Sequence, residues 1–291
     1  VKLLVTENRR LQRRLLANQD HMSHTNRAAA IVAIAALAAG GLAGCAHRAT
    51  DEVEGALPLP DGVAKIRIEL QNAPARGIRM DAASDEQLAS LVSLEHGLTA
   101  TLDPEDPALL VVRGPELPAG VQGMIAYEGN VRVPADLPLE VVVTGNGHVT
   151  LVGRMAESVV RTRRGDLRFD GCSGDVQATT GQGNVIAYDH RGGLDVRSQG
   201  GDMQVFVVEP GAELTLSTGK GTVQCHVPPE IGYRVDARAE TGRIGNDFEL
   251  EVTKPAAYSA AMTGVVGDGA CKVVLRTAAG HIAMRRLVGR K

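Results

Sequence analysis

The sequence predicts an all-β protein built on a parallel β-solenoid, right-handed in its expected winding, with about 18 residues per coil and looser towards the C-terminus, after an N-terminal cap segment. Three observations predict it. Glycines recur at Gly165, Gly174, Gly183, Gly192 and Gly201, a period of nine, with Gly147 one full coil before the first. Alternating apolar pairs follow them, Leu167/Phe169, Val176/Ala178, Val185/Ala187, Leu194/Val196 and Met203/Val205, and alternation with period two buries one side of a short strand. Finally, the 291 residues include 34 Gly, no Trp and only 2% aromatics, so turns are frequent and the interior must be narrow enough for side chains such as Ala178, Ala187 and Ala237 to fill.

Each unit of nine therefore reads as strand plus turn, and two units return the chain to an equivalent place. Coils would stack at the strand spacing of about 4.8 Å. Looser copies follow at residues 216–225, 237–246 and 275–284. The last starts at Leu275 and its predecessor at Ala237, roughly twice the regular step, which predicts loops or an inserted hairpin around residues 248–269.

Upstream, residues 1–44 read as a signal peptide. Residues 28–46 carry no charge and follow Arg27 and the basic run Arg9, Arg10, Arg13 and Arg14. Residues 1–21 read as an over-extended start, because beginning at Met22 leaves a signal of ordinary length. The tetrapeptide Leu42-Ala43-Gly44-Cys45 resembles the bacterial lipobox, which implies cleavage before Cys45 and acylation of that residue. Two or three acyl chains hold a protein stably on a bilayer, whereas one is marginal. Residues 45–62 are then the lipidated Cys and a polar tether with Pro58 and Pro60. Residues 63–130 form N-terminal strands and a cap: residues 64–70 alternate as a strand, and residues 84–97 read as a short helix from the Ser84/Gln87 capping spacing. Residues 131–291 are the repeat domain.

The stretches VVTGNGHVTLVG, VRTRRGDLRFDGCSGDVQATTGQGNVIAY and LSTGKGTVQCHV resemble the putative-adhesin (head GIN-like) β-solenoid domain of bacterial envelope proteins, with its recurring T-G-x-G-D-V. The resemblance covers residues 64–287 and is strongest over 141–227. It implies the fold, and it brings no catalytic residues with it.

Removing residues 1–44 takes six cations and two anions from the 31 and 34 of the chain, leaving a net charge of −7. Such a chain is a poor partner for nucleic acid, whose binding rests on clustered Lys and Arg. Cys172, Cys225 and Cys271 form no C-x-x-C pair and read as structural.

Stacking of successive coils aligns His148, Asp166, Asn184 and Asp202 in one column, continued by Thr222 and Arg243. Asp and Asn favour such turns because they accept backbone hydrogen bonds, and that is the expected role; a metal or a sugar is the alternative. The RTX calcium pattern is absent, since Asp directly follows Gly at 165–166, 174–175 and 201–202. Asp175, Asp195 and Asp202 could imitate a lyase carboxylate set, but no His or Arg recurs beside them as base and stabiliser. Ser158, Ser173 and Ser198 lie in no nucleophile elbow. His190, His226 and His281 fall at unlike phases of the repeat, and Arg161, Arg163 and Arg164 read as a solvated face that could also meet anionic headgroups or glycans.

The expectation is a lipid-anchored cell-envelope protein, a non-catalytic binding, adhesin-like or scaffolding module with no cofactor or metal. Its partners would be the membrane, through the anchor, and a glycan or envelope protein. Ala46 after Cys45 permits outer-membrane sorting in a diderm; in a monoderm the anchor would sit on the outer face of the cell membrane. A carbohydrate-active β-helix enzyme and an accessory component of an envelope stress or regulatory system are the alternatives.

Overall fold

A computed structural model describes residues 55–71, 73–83, 91–94, 98–114 and 129–288. The expected signal segment, Cys45 and residues 46–54 of the expected tether lie outside the described residues, while Gly55–Pro58, read as part of that tether, is a strand paired with Leu91–Leu94. Those described are all-β, with no helix among them, and no helix there is long and apolar enough to cross a membrane. In chain order the first strands are β1 (Gly55–Pro58), β2 (Lys65–Leu70), β3 (Ala73–Ala83), β4 (Leu91–Leu94), β5 (Thr99–Leu102), β6 (Leu109–Arg113) and β7 (Gly129–Pro134). The central ones are β8 (Leu139–Val152), β9 (Ser158–Arg164), β10 (Leu167–Asp170), β11 (Val176–Thr180), β12 (Val185–Ser198), β13 (Met203–Lys220) and β14 (Val223–Val227). Last come β15 (Tyr233–Thr241), β16 (Ile244–Asn246), β17 (Val252–Thr253), β18 (Ala260–Val266), β19 (Cys271–Ala279) and β20 (Ile282–Arg286).

Central strands join two parallel ladders. In the first, Ser158 of β9 pairs with Val176 of β11, which pairs with Leu194 of β12, and Leu194 pairs with Leu214 of β13. In the second, Leu167 of β10 pairs with Val185, Val185 with Met203, and Met203 with Val223 of β14. The step between partners is thus constant from Ser158 to Leu194 and from Leu167 to Met203; it is one residue longer from Leu139 of β8 to Ser158, and two longer where β13 is a partner, from Leu194 to Leu214 and from Met203 to Val223. Strands β8, β12 and β13 are long because each serves both ladders. Val160, Ala178, Val196 and Leu216 from one ladder and Leu151, Phe169, Ala187 and Val205 from the other are buried in one core.

The glycine period has a steric cause. Gly165, Gly183, Gly201 and Gly221 have φ between 129° and 152°, which L side chains rarely adopt, and a Cβ at Gly183 would lie 2.1 Å from the carbonyl oxygen of Gly165. A buried threonine hydroxyl three residues before Gly183 and before Gly221 bonds the previous layer's glycine: Thr180 Oγ1 donates to Gly165 O at 3.1 Å, and Thr218 Oγ1 to Gly201 O at 3.0 Å.

Chain order and spatial order part company at both ends. Strands β2 and β3 lie beside β8, while the later β6 and β7 lie outside them. The parallel ladders therefore extend into the segment read as a cap. At the other end, β19 sits between β13 and β15, and β20 between β14 and β16. The expectation that copies stack in chain order is corrected there: the last copy enters the ladders one layer inside its predecessor. Antiparallel strands finish the edges, with β5 on β6, β4 on β7, and β18 on β15. The expected hairpin is β17–β18. The helix expected over residues 84–97 is corrected where it is described, because Leu91–Leu94 is strand β4, paired with β1 and β7. Strand pairing outweighs the i, i+3 leucine spacing in so short a segment; residues 84–90 and 95–97 lie outside the described set.

Candidate functional site

The column following the corner glycines is stitched by its own side chains. Asp166 Oδ1 accepts the amide of Asn184 at 2.7 Å, Asn184 Oδ1 accepts that of Asp202 at 2.9 Å, and Asp202 Oδ1 accepts that of Thr222 at 2.7 Å. His148 Nδ1 accepts the Asp166 amide at 3.1 Å. His281 Nδ1 takes the same role for Arg243 at 3.1 Å, so His281 belongs to this column, and the expectation that it stands at an unlike phase is corrected. The sequence carries the signal, since His281 directly follows Gly280 in the copy at 275–284 as Asp166 directly follows Gly165. Among the described residues no three His, Cys, Asp or Glu side chains come together as a metal could require.

The carboxylates that imitate a lyase set each have a separate partner. Asp175 Oδ1 accepts the Gly193 amide at 2.6 Å, Asp195 holds Arg197 at 3.0 Å, and Asp202 belongs to the column above. Ser158 and Ser198 are buried and bond to local carbonyls, Ser198 Oγ to Gly200 O at 2.9 Å; Ser173 is exposed.

A second corner recurs every 18 residues with the opposite logic. Gly153, Gly171 and Asp189 have φ of 64°, 60° and 51°, and the residue after each, Arg154, Cys172 and His190, is fully buried. Arg154 donates to Pro134 O and Leu137 O, and burial pushes its guanidinium down to about 10. His190 Nε2 lies 3.1 Å from Gly193 O; because a carbonyl only accepts, that nitrogen carries the proton. Burial lowers the pKa of His190 and raises that of Cys172. None of the three meets solvent. Cys225 and Cys271 are likewise buried free thiols, and burial pushes Cys225 up to about 12.

Outside the core, Tyr188, Phe206 and His226 stack along the second ladder, with centroids 5.2 and 4.3 Å apart, beside a groove of about 700 Å³. Arg168 lies 5.1 Å over the Tyr188 ring. Both faces of Tyr188 and of Phe206 are thus covered within the stack, by each other, by Arg168 and by His226.

The outer face of the first ladder carries the cations. Register aligns Arg161, Thr179, Arg197, Ser217, Arg276 and Arg238 in one column. Alternate layers are about 9.5 Å apart, so Arg161 and Arg197 flank the small Thr179 at that separation. Arg161 bonds Glu140, which also receives Lys65 and Arg67 at 3.0 Å each. Burial would raise the Glu140 carboxyl, but these three cations outweigh it and hold it down to about 2. Arg163 and Arg164 are exposed and make no ion pair among the described residues. The sequence marked three of these arginines; Arg197 was reachable by moving two coils on from Arg161.

No family model matches the chain, and no curated protein matches it. A crystal structure of a putative cell adhesion protein from Clostridium sporogenes is similar to it at 13% identity and a TM-score of 0.37, over 80% of this chain and 99% of that one. The likeness is too slight to bear on fold or role.

Proposed function

We propose that the chain is a lipid-anchored β-solenoid of the cell envelope that binds an extended ligand without catalysing a reaction. The observation that carries this reading is the pair of parallel ladders, in constant register from Ser158 to Leu194 and from Leu167 to Met203, which sets like positions in outward-facing columns one strand spacing apart. Such columns suit a polymer or another protein's surface. Asp175, Asp195 and Asp202 are each committed to a separate partner, which favours binding over acid–base chemistry. The lipobox-like Leu42-Ala43-Gly44-Cys45 supports the anchor and the envelope location.

The test is recovery of the acylated full chain from membranes, with its bound components identified, beside a Cys45→Ala control. The parent is expected in the membrane fraction, carrying an envelope glycan or protein, and the variant in the soluble fraction. A membrane-bound Cys45→Ala chain would refute the anchor. Cleavage of a polysaccharide by the purified parent would refute the non-catalytic role.

A further inference from the structure

We infer that the saddle around Thr179 and Gly181 on the first ladder is the binding site for an acidic polysaccharide, a carboxylate- or sulfate-bearing sugar chain. The inference rests on the binding role proposed above and gives it a place and a ligand chemistry. The floor is low because its residues are small. Thr179 lies between Arg161 and Arg197 in register, and at Gly181 a Cβ would come within 2.4 Å of the Arg163 carbonyl oxygen, so the strand passes too close for any side chain.

A groove of about 550 Å³ opens there, and no carboxylate lines it. Arg163, Arg164 and Arg197 supply its charge; Gln182, Gln199 and Thr179 supply neutral hydrogen-bonding groups. The carboxylates nearby are occupied. Glu140 is buried under Lys65, Arg67 and Arg161, Asp195 holds Arg197, and Glu157 accepts from Gln177 at 3.3 Å. Asp166, beside Arg164 in the next groove, serves the Asn184 amide. Two guanidinium groups without carboxylate partners among the described residues thus line a carboxylate-free groove, in a chain whose net charge is −3.

Guanidinium forks bind carboxylate and sulfate oxygens in pairs, while amides and hydroxyls bond sugar hydroxyls; the mixture suits a charged sugar better than a bare ion. A single-stranded nucleic acid would need rings on which its bases could stack, and no aromatic residue lines this groove.

The experiment measures binding of the full chain to polygalacturonate, to neutral dextran and to a single-stranded DNA oligonucleotide, at low and high salt. The parent is expected to bind polygalacturonate in a salt-sensitive way and to leave dextran unbound. The Arg163→Gln/Arg164→Gln chain and the Thr179→Glu chain should each bind about tenfold or more weakly, because each loses or opposes charge-assisted hydrogen bonds. Arg163→Lys/Arg164→Lys should retain most of the salt-sensitive attraction, and unchanged thermal melting of every variant will separate lost binding from lost folding. Unaltered polygalacturonate binding by both weakened variants would overturn the site while leaving the binding role intact. Tighter binding of DNA than of polygalacturonate, equal binding of dextran, or no binding of polygalacturonate at all would overturn the ligand class. The broader role fails separately, if membrane-recovered parent carries no envelope component.

Discussion

At Gly183 both conformation and space demand glycine: φ is 152°, and a Cβ would fall 2.1 Å from the Gly165 oxygen in the adjacent layer. At Gly171 only conformation does, since φ is 60° and nothing lies within 4 Å of an added Cβ. Gly171→Ala should therefore cost about 1 kcal/mol, and Gly183→Ala about 3 kcal/mol or more, read as shifts in urea midpoint at constant slope. Gly171→Asn should be nearly neutral, because Asp189 already occupies the equivalent corner 18 residues further on at φ 51°. The column of His148, Asp166, Asn184 and Asp202 admits a similar comparison. Asp166→Asn keeps an oxygen for the Asn184 amide and should leave stability unchanged, whereas Asp166→Ala removes it and should cost about 1 kcal/mol. Equal losses in the two variants would show that charge at Asp166, and not the hydrogen bond, matters. These glycine and Asx columns were legible because steric and hydrogen-bonding needs repeat at every layer. The buried corner of Arg154, Cys172 and His190 was not, since three unlike residues fill one structural position and share no chemical signature.

Among the strands, β2, β8 and β9 are tied on their outer face by Glu140 and its three cations. The carboxyl is held well below its ordinary value of 4.5, at about 2, so the tie contributes fully above pH 4.5 and is lost as pH falls towards 2. Its partners are partly exposed, which limits the contribution to on the order of 2 kcal/mol. Acid titration of stability should therefore fall through that window in the parent and more shallowly in Glu140→Gln, measured by urea unfolding at fixed salt. A parent and variant with parallel pH profiles would remove the tie from the energetics. Strand periodicity made β9 to β14 legible, because alternation and corner glycines coincide there. In β4 neither helped: four residues of LVSL satisfy a helical spacing as well as a strand, and pairing with β1 and β7 decides between them.

For the molecule as a whole, the sequence carried the repeat but not the order in which its layers assemble. Spacing along the chain cannot distinguish a last copy stacked outside its predecessor from one inserted beneath it, because the pairing edges of a parallel strand are chemically alike. The insertion has a mechanical consequence. In an array stacked in chain order, trimming the final repeat removes an edge layer and little else. Here β19 and β20 lie between β13/β14 and β15/β16, so their loss leaves an apolar gap inside the ladder and strips β15 and β16 of their parallel partners. Val273, Leu275, Ile282 and Met284, all buried, would leave the core together. A chain ending at Ala270 should accordingly lose amide-exchange protection across residues 233–266, while 139–206 retain theirs. Protection of 233–246 at parental levels would mean that β15 and β16 had moved inward to take the vacated positions, and that the layers are interchangeable rather than fixed by their side chains.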